Sequence, residues 1–205
     1  MQVDFIFAIT ILIMSIVVHE VSHGYIAGIL GDPTAKLAGR LTLNPIKHLD
    51  FLGSIVVPLI TSIAGGFIFG WAKPVPYNPY NLKNQKWGPA LVGIAGPASN
   101  VLIAIVFGIL IRLNISFNLF PSSFIEIAGL VVLINLILAI FNLVPIPPLD
   151  GSKVLFALIP YRYSHIQAKI EQYGLILLIF FIFFLFKTIF PIISLLFKLI
   201  TGISV

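Results

Sequence analysis

The chain has 205 residues, enough for one domain or one small membrane bundle. Hydrophobic residues make up 59% and charged residues 9%, against roughly 45–50% and about 25% in an ordinary soluble domain. That balance argues against a soluble globule, a disordered chain or a nucleic-acid binder, and for an integral membrane protein living in a lipid bilayer. The net charge of +5 comes from 12 Lys and Arg against 7 acids, an excess that in membrane proteins usually marks cytoplasmic loops. No Cys is present, which excludes disulfides, thiolate nucleophiles and Cys-based metal sites.

In chain order, apolar stretches run over Val3–Leu30, Phe51–Gly70, Gly88–Ile111, Phe124–Val144 and Tyr173 to about Phe190, with Ile192–Ile203 as a shorter tail. A span needs about 20 residues at 1.5 Å each to cross roughly 30 Å of hydrocarbon, so a bundle of about 4–6 transmembrane segments is expected. Val3–Leu30 lacks the basic start and small-residue cleavage site of a signal peptide and reads as a retained helix.

If every stretch crossed, Lys36, Arg40 and Lys47 would lie opposite Lys73, Lys83 and Lys86, against the positive-inside bias. Phe51–Gly70, carrying Gly53, Pro58, Gly65, Gly66 and Gly70, therefore reads as re-entrant or membrane-associated. Nine basic residues (Lys36, Arg40, Lys47, Lys73, Lys83, Lys86, Lys153, Arg162 and Lys169) then share one face, with Arg112 opposite and Lys187 and Lys198 unassigned. Short extended strands are expected between residues 40 and 80, at Leu41–Leu43 or in the proline-rich Val75–Tyr80. Such an edge is able to capture an unwound substrate by strand addition. The whole of 1–205 reads as a single membrane domain.

The first helix contains His19-Glu20-Val21-Ser22-His23. At 3.6 residues per turn, both imidazoles lie on one face a turn apart and reach one metal ion, while Glu20 is offset to hold a water. Two His and a Glu inside an apolar span are costly to bury and functional by default. A catalytic zinc needs a third protein ligand. Asp150, in Asn142-Leu143-Val144-Pro145-Ile146-Pro147-Pro148-Leu149-Asp150-Gly151, is either that ligand or the cap of the next helix. His48 competes as a ligand, or is an interfacial His beside Lys47, and His165 reads as solvated. Gly24, Gly28 and Gly31 form a small-residue stripe suited to close helix packing.

Three motifs taken together, His19–Gly24 (HEVSHG), Gly96–Asn100 (GPASN) and Asn142–Gly151 (NLVPIPPLDG), resemble the site-2 protease family of intramembrane zinc metalloproteases. Gly39–Asp50 and the WAKPVPYNP segment resemble its small prokaryotic forms without a PDZ domain. The resemblance covers most of Met1 to about Ile159 and leaves the C-terminal hydrophobic segments, 173–205, outside. It implies an all-α polytopic protein with a three-helix catalytic core, one Zn2+ held by His19, His23 and Asp150, and Glu20 as general base. Asn142 or Asn100 is then placed to donate to the developing oxyanion, the alternatives being backbone satisfaction for Asn142 and helix packing for Asn100.

From Asp4 to His19 the helix climbs about 22 Å, which sets the metal inside the membrane, nearer the basic and hence cytoplasmic face. The expected function is hydrolysis of peptide bonds in or near transmembrane segments, in regulated intramembrane proteolysis or clearance of membrane peptides. A metal-binding transporter would repeat its ligands over several spans or show an inverted repeat, and a non-proteolytic scaffold would lack Glu20 or a His. The sequence shows neither pattern.

Overall fold

The computed structural model describes residues 2–50, 53, 56, 60 and 73–203. Its long helices are α1 (Gln2–Ile29), α3 (Gly88–Phe117), α4 (Ser122–Asn142) and a continuous helical run from α6 (Ser164–Phe180) into α7 (Phe190–Thr201). Two short helices, α2 (Thr34–Leu37) and α5 (Gly151–Leu158), lie in the connections. Among the described residues four segments are long and apolar enough to cross a membrane: Ile6–Ile29, Gly88–Phe117, Ser122–Asn142 and Tyr161–Thr201. The chain is thus an all-α, multi-pass membrane protein.

Helix ends follow local chemistry. α1 stops where Gly31 takes φ +111°, and the N–H groups of Gly31 and Asp32 return to the carbonyls of Gly28 and Ala27 at 3.1 and 2.9 Å. That is a Schellman cap, whose left-handed residue favours Gly. The N–H groups of Gly39 and Arg40 close α2 the same way, on Lys36 and Ala35. α3 ends at Asn118, φ 49°, a residue type that tolerates this region.

The core lies between α3, α4 and the last span. Ala104 and Ile111 of α3 and Ala128, Val132 and Leu136 of α4 are buried against Phe181, Ile189, Ile193 and Phe197. Gly108 removes the side chain that would run into Ile200 Cγ2. Small residues at the crossing let helices approach where lipid supplies no hydrophobic drive between them. α1 packs against α3 and α4.

The C-terminal stretch is one helical run. It is locally wound as a π turn at Phe181–Leu185 and a 3-10 turn at Phe186–Ile189. It ends at the far side from the cluster of motifs, where Arg112 Nε and Nη2 donate to the carbonyls of Ile200 and Leu199 at 2.8 and 2.5 Å. Lys198, in the last turn of α7, joins Arg112 at that end.

Two expectations change. No strand forms between residues 40 and 80 among the described residues. Leu41–Leu43 runs into a turn in which Thr42 Oγ1 accepts the N–H of Asn44 and the Thr42 carbonyl meets His48 Nε2 at 2.8 Å. In the proline-rich segment, side chains take the groups a ladder would need. Arg40 Nη2 donates to the carbonyls of Lys73 and Pro74 at 2.7 and 3.3 Å, and the Val75 N–H is given to Glu20. The glycine stripe also divides. Gly24 is tight against Val75, Ala35 and Leu41, whereas Gly28 meets nothing within 4 Å. The expected non-crossing stretch Phe51–Gly70 lies almost wholly outside the described residues. Its flanks meet, because Lys73 N–H donates to His48 O at 2.9 Å.

Candidate metal centre

α1, α3, α4 and the turn before α5 converge at one end of the bundle. His19 and His23, a helical turn apart, present rings 4.6 Å between centroids and nearly perpendicular. Asp150 Oδ2 lies 3.0 Å from His19 Nε2 and 3.1 Å from His23 Nε2. All three side chains are buried, and they form the candidate metal-ligating group found among the described residues.

Asp150 reaches this point because Pro145, Pro147 and Pro148 lack backbone donors and prevent α4 from continuing. The Pro147–Pro148 peptide bond is cis. Although Asp150 occupies the N-cap position of α5, its side chain accepts no capping bond there. Gly151 allows the turn to press on the end of α4, since an added Cβ would run into the Leu143 carbonyl oxygen. Gly96 does the same for the imidazoles: an added Cβ would lie 2.5 Å from His19 Cε1 and Nε2 and 2.6 Å from His23 Cε1.

The far side of each ring is committed. His23 Nδ1 lies 2.6 Å from the Val92 carbonyl oxygen, an acceptor only, so Nδ1 carries the hydrogen. His19 Nδ1 lies 2.6 Å from Asn100 Oδ1. In the neutral rings both Nε2 lone pairs therefore face the Asp150 carboxylate, an arrangement of three acceptors that calls for a cation between them. Ligand atoms about 2.0–2.1 Å from a tetrahedral zinc lie about 3.3 Å apart, close to the spacings of 3.0 and 3.1 Å here. Two imidazoles and one carboxylate also match the donor set of catalytic zinc. The residues fit the ion.

The second carboxylate oxygen, Asp150 Oδ1, accepts from Lys153 Nζ at 2.9 Å. Burial pulls Lys153 down, and the Asp150 charge more than restores it, above the ordinary lysine value.

Beside the cluster opens a cavity of about 150 Å³ lined by Glu20, Val75, Tyr77, Asn142 and Lys153 as well as the three candidate ligands. Glu20 Oε2 accepts the Val75 N–H at 2.8 Å, which holds the carboxylate at the cavity wall. Asn142 also faces the cavity while one amide hydrogen goes to the Leu138 carbonyl at 2.9 Å. Asn100 does not line the cavity. It sits fully buried behind His19. His48 is buried and held by Thr42, apart from the group at His19, and His165 is exposed. Sequence reasoning missed Asn135 and Ser15, which join Asn100 in a buried polar network. A lone Asn inside the apolar run of α4 was the available signal.

The sequence model of Peptidase family M50 matches residues 115–185, which carry α4 and Asp150. The chain is 39% identical over 170 residues to the protein named "Putative zinc metalloprotease YwhC" of Bacillus subtilis, covering 80% of this chain and 74% of that protein. It is 28% identical over 177 residues to Rip2 of Mycolicibacterium smegmatis, likewise named, covering 85% and 66%. Zinc metalloprotease MJ0392 of Methanocaldococcus jannaschii is 26% identical over 159 residues, covering 77% of this chain and 36% of its own length. No solved structure matches the chain. On the strength of its extended similarity to YwhC and of the family match across the Asp150 motif, the chain belongs to peptidase family M50, the zinc metalloproteases of the site-2 protease type.

Proposed function

We propose that this zinc metalloprotease hydrolyses peptide bonds in or near the transmembrane segments of other membrane proteins, in regulated intramembrane proteolysis or clearance of membrane peptides. Its metal would be held by His19, His23 and Asp150, with Glu20 as general base, and residues 1–205 would act as one membrane domain. The observation that carries the reading is the meeting of two imidazole Nε2 atoms and one carboxylate oxygen beside a cavity walled by a second carboxylate.

A zinc ion in this donor set supplies Lewis acidity, polarising a carbonyl and lowering the pKa of a water toward 7. Glu20 takes the proton from the attacking water at its carboxylate and passes it to the leaving amine, a role that needs hydrogen-bond reach from the cavity wall. Asn142, with its second amide hydrogen uncommitted to Leu138, donates to the oxyanion as charge develops. Lys153 keeps Asp150 anionic and turns one of its oxygens away from the imidazoles.

A helical substrate hides its carbonyls in its own ladder, so it must unwind before a bond enters the cavity. In the present arrangement the Val75 N–H and the carbonyls of Lys73 and Pro74 are already bonded. Val75 N–H must be released before this edge pairs with a substrate there. Basic loops gathered at the metal end support an active site facing the cytoplasm.

Glu20→Gln in the full-length protein tests the reading. Zinc content should stay at the wild-type level while cleavage of a transmembrane peptide falls by about 10²–10⁴-fold, the range of general-base catalysis. Wild-type cleavage by this variant would overturn the assignment. Asp150→Ala should lose zinc, and full occupancy would remove Asp150 as a ligand.

A further inference from the structure

Behind His19, a chain of buried amides runs into the membrane-embedded interior. Asn100 and Asn135 have no exposed surface and Ser15 has 5%. Such groups inside a span carry a role by default, since lipid offers no partner. We propose that Asn135 and Ser15 are positioning residues for the metal centre: they lock the Asn100 amide in the one orientation that turns the Nε2 lone pair of His19 toward Asp150. The inference rests on the reading of His19 as a metal ligand.

Donor and acceptor counting carries it. Asn135 Nδ2 donates to the Val131 carbonyl and to Ser15 Oγ, both at 2.9 Å. A carbonyl only accepts, so the Asn135 amide has one orientation, and its Oδ1 faces Asn100. Asn100 Nδ2 donates to that oxygen at 2.9 Å and points its other hydrogen at the Ser15 carbonyl at 3.4 Å. Asn100 Oδ1 is thereby turned to His19 Nδ1, which must carry a hydrogen, and Nε2 is left as the metal-facing lone pair.

Turning Asn100 over would set its oxygen against Asn135 Oδ1 and the Ser15 carbonyl. It would also place an NH2 against His19 Nδ1. The lone pair would then move to Nδ1, away from the metal position. His23 needs no such device because a main-chain carbonyl, that of Val92, sets its tautomer. Asn135 contacts neither the cavity nor the candidate ligands, so its influence is transmitted through Asn100.

The experiment measures zinc affinity by chelator competition, and the absorption spectrum of the Co2+-substituted protein, in full-length Asn135→Leu. Affinity should fall about 10–100-fold, as for other partners behind metal-ligating His, with an altered Co2+ spectrum. Ser15→Ala, which removes one of two acceptors holding Asn135, should show a smaller loss and serves where Asn135→Leu fails to fold. In an Asn100→Asp background the carboxylate needs no orienting, and its second oxygen faces the Asn135 and Ser15 carbonyl oxygens, so Asn135→Leu, which removes one of those oxygens, should cause no further loss of zinc affinity.

Lower thermal stability with unchanged zinc affinity and Co2+ spectrum would overturn the proposal, and so would equal losses in the Asn100 and Asn100→Asp backgrounds. Zinc binding indifferent to His23→Ala and Asp150→Ala would instead sink the metal assignment itself, a distinguishable result.

Discussion

Gly96 shows how one hydrogen atom in place of a methyl shapes the site. It lies on α3 against both imidazoles, and an added Cβ would come within 2.5–2.6 Å of rigid ring atoms. Gly96→Ala should therefore displace the rings and lower zinc affinity by about 10-fold or more, following the sensitivity of metal sites to ligand orientation. Gly28→Ala is the matched control, because nothing lies within 4 Å of its added Cβ. Exposed in a helix, it should leave zinc affinity unchanged and raise stability by up to about 1 kcal/mol. Isothermal titration of the two variants separates local geometry from a general effect of Gly replacement.

Between elements, the turn after α1 is tied to the loop at residues 78–81 by one buried carboxylate. Asp32 Oδ1 accepts from Thr34 Oγ1 and Asn81 Nδ2 at 2.5 and 2.8 Å, and Oδ2 accepts the Asn78 N–H at 2.6 Å. Burial pushes this carboxyl up, but the bonds from Thr34, Asn81 and Asn78 outweigh it and hold it below the ordinary value. A depressed folded pKa stabilises above the unfolded value, about 3.9, and that contribution is lost as pH falls through the folded one. Asp32→Asn should thus melt lower than wild type at pH 7, with the gap narrowing below about pH 4. A gap constant from pH 7 to 3 would show that the carboxylate charge is not what binds these elements. The loop so anchored continues into Val75 and Tyr77 at the cavity, so the same variant should loosen the wall that holds Glu20.

For the whole molecule, the basic loops and the metal centre share one end, and Arg112 with Lys198 marks the other. The chain has no Cys, so single introduced cysteines report topology without background. With the proposed orientation, an impermeant maleimide applied to intact cells should label Leu119→Cys, beyond α3, and spare Gln85→Cys, at the metal end. The reverse pattern would turn the active site outward.

The amino-acid sequence by itself determined the membrane setting, the helices and the identity of the metal motif. These depend on composition and on spacing within one helix: apolar runs long enough to span, and His19 and His23 four residues apart. It also restricted the candidates for a third ligand to few residues, since acids are scarce and prolines break the chain just before Asp150. Only the tertiary structure decided that the Asp150 carboxylate turns to the imidazoles rather than capping α5, that Asn100 backs His19 instead of lining the cavity, and that Asn135 and Ser15 join it. It also replaced the expected strands with a loop whose backbone groups are held by Arg40 and Glu20. Those outcomes depend on partners 33 to 131 residues apart. Local spacing does not encode which buried donor meets which acceptor; that is settled when packing removes water and each polar group must find a partner.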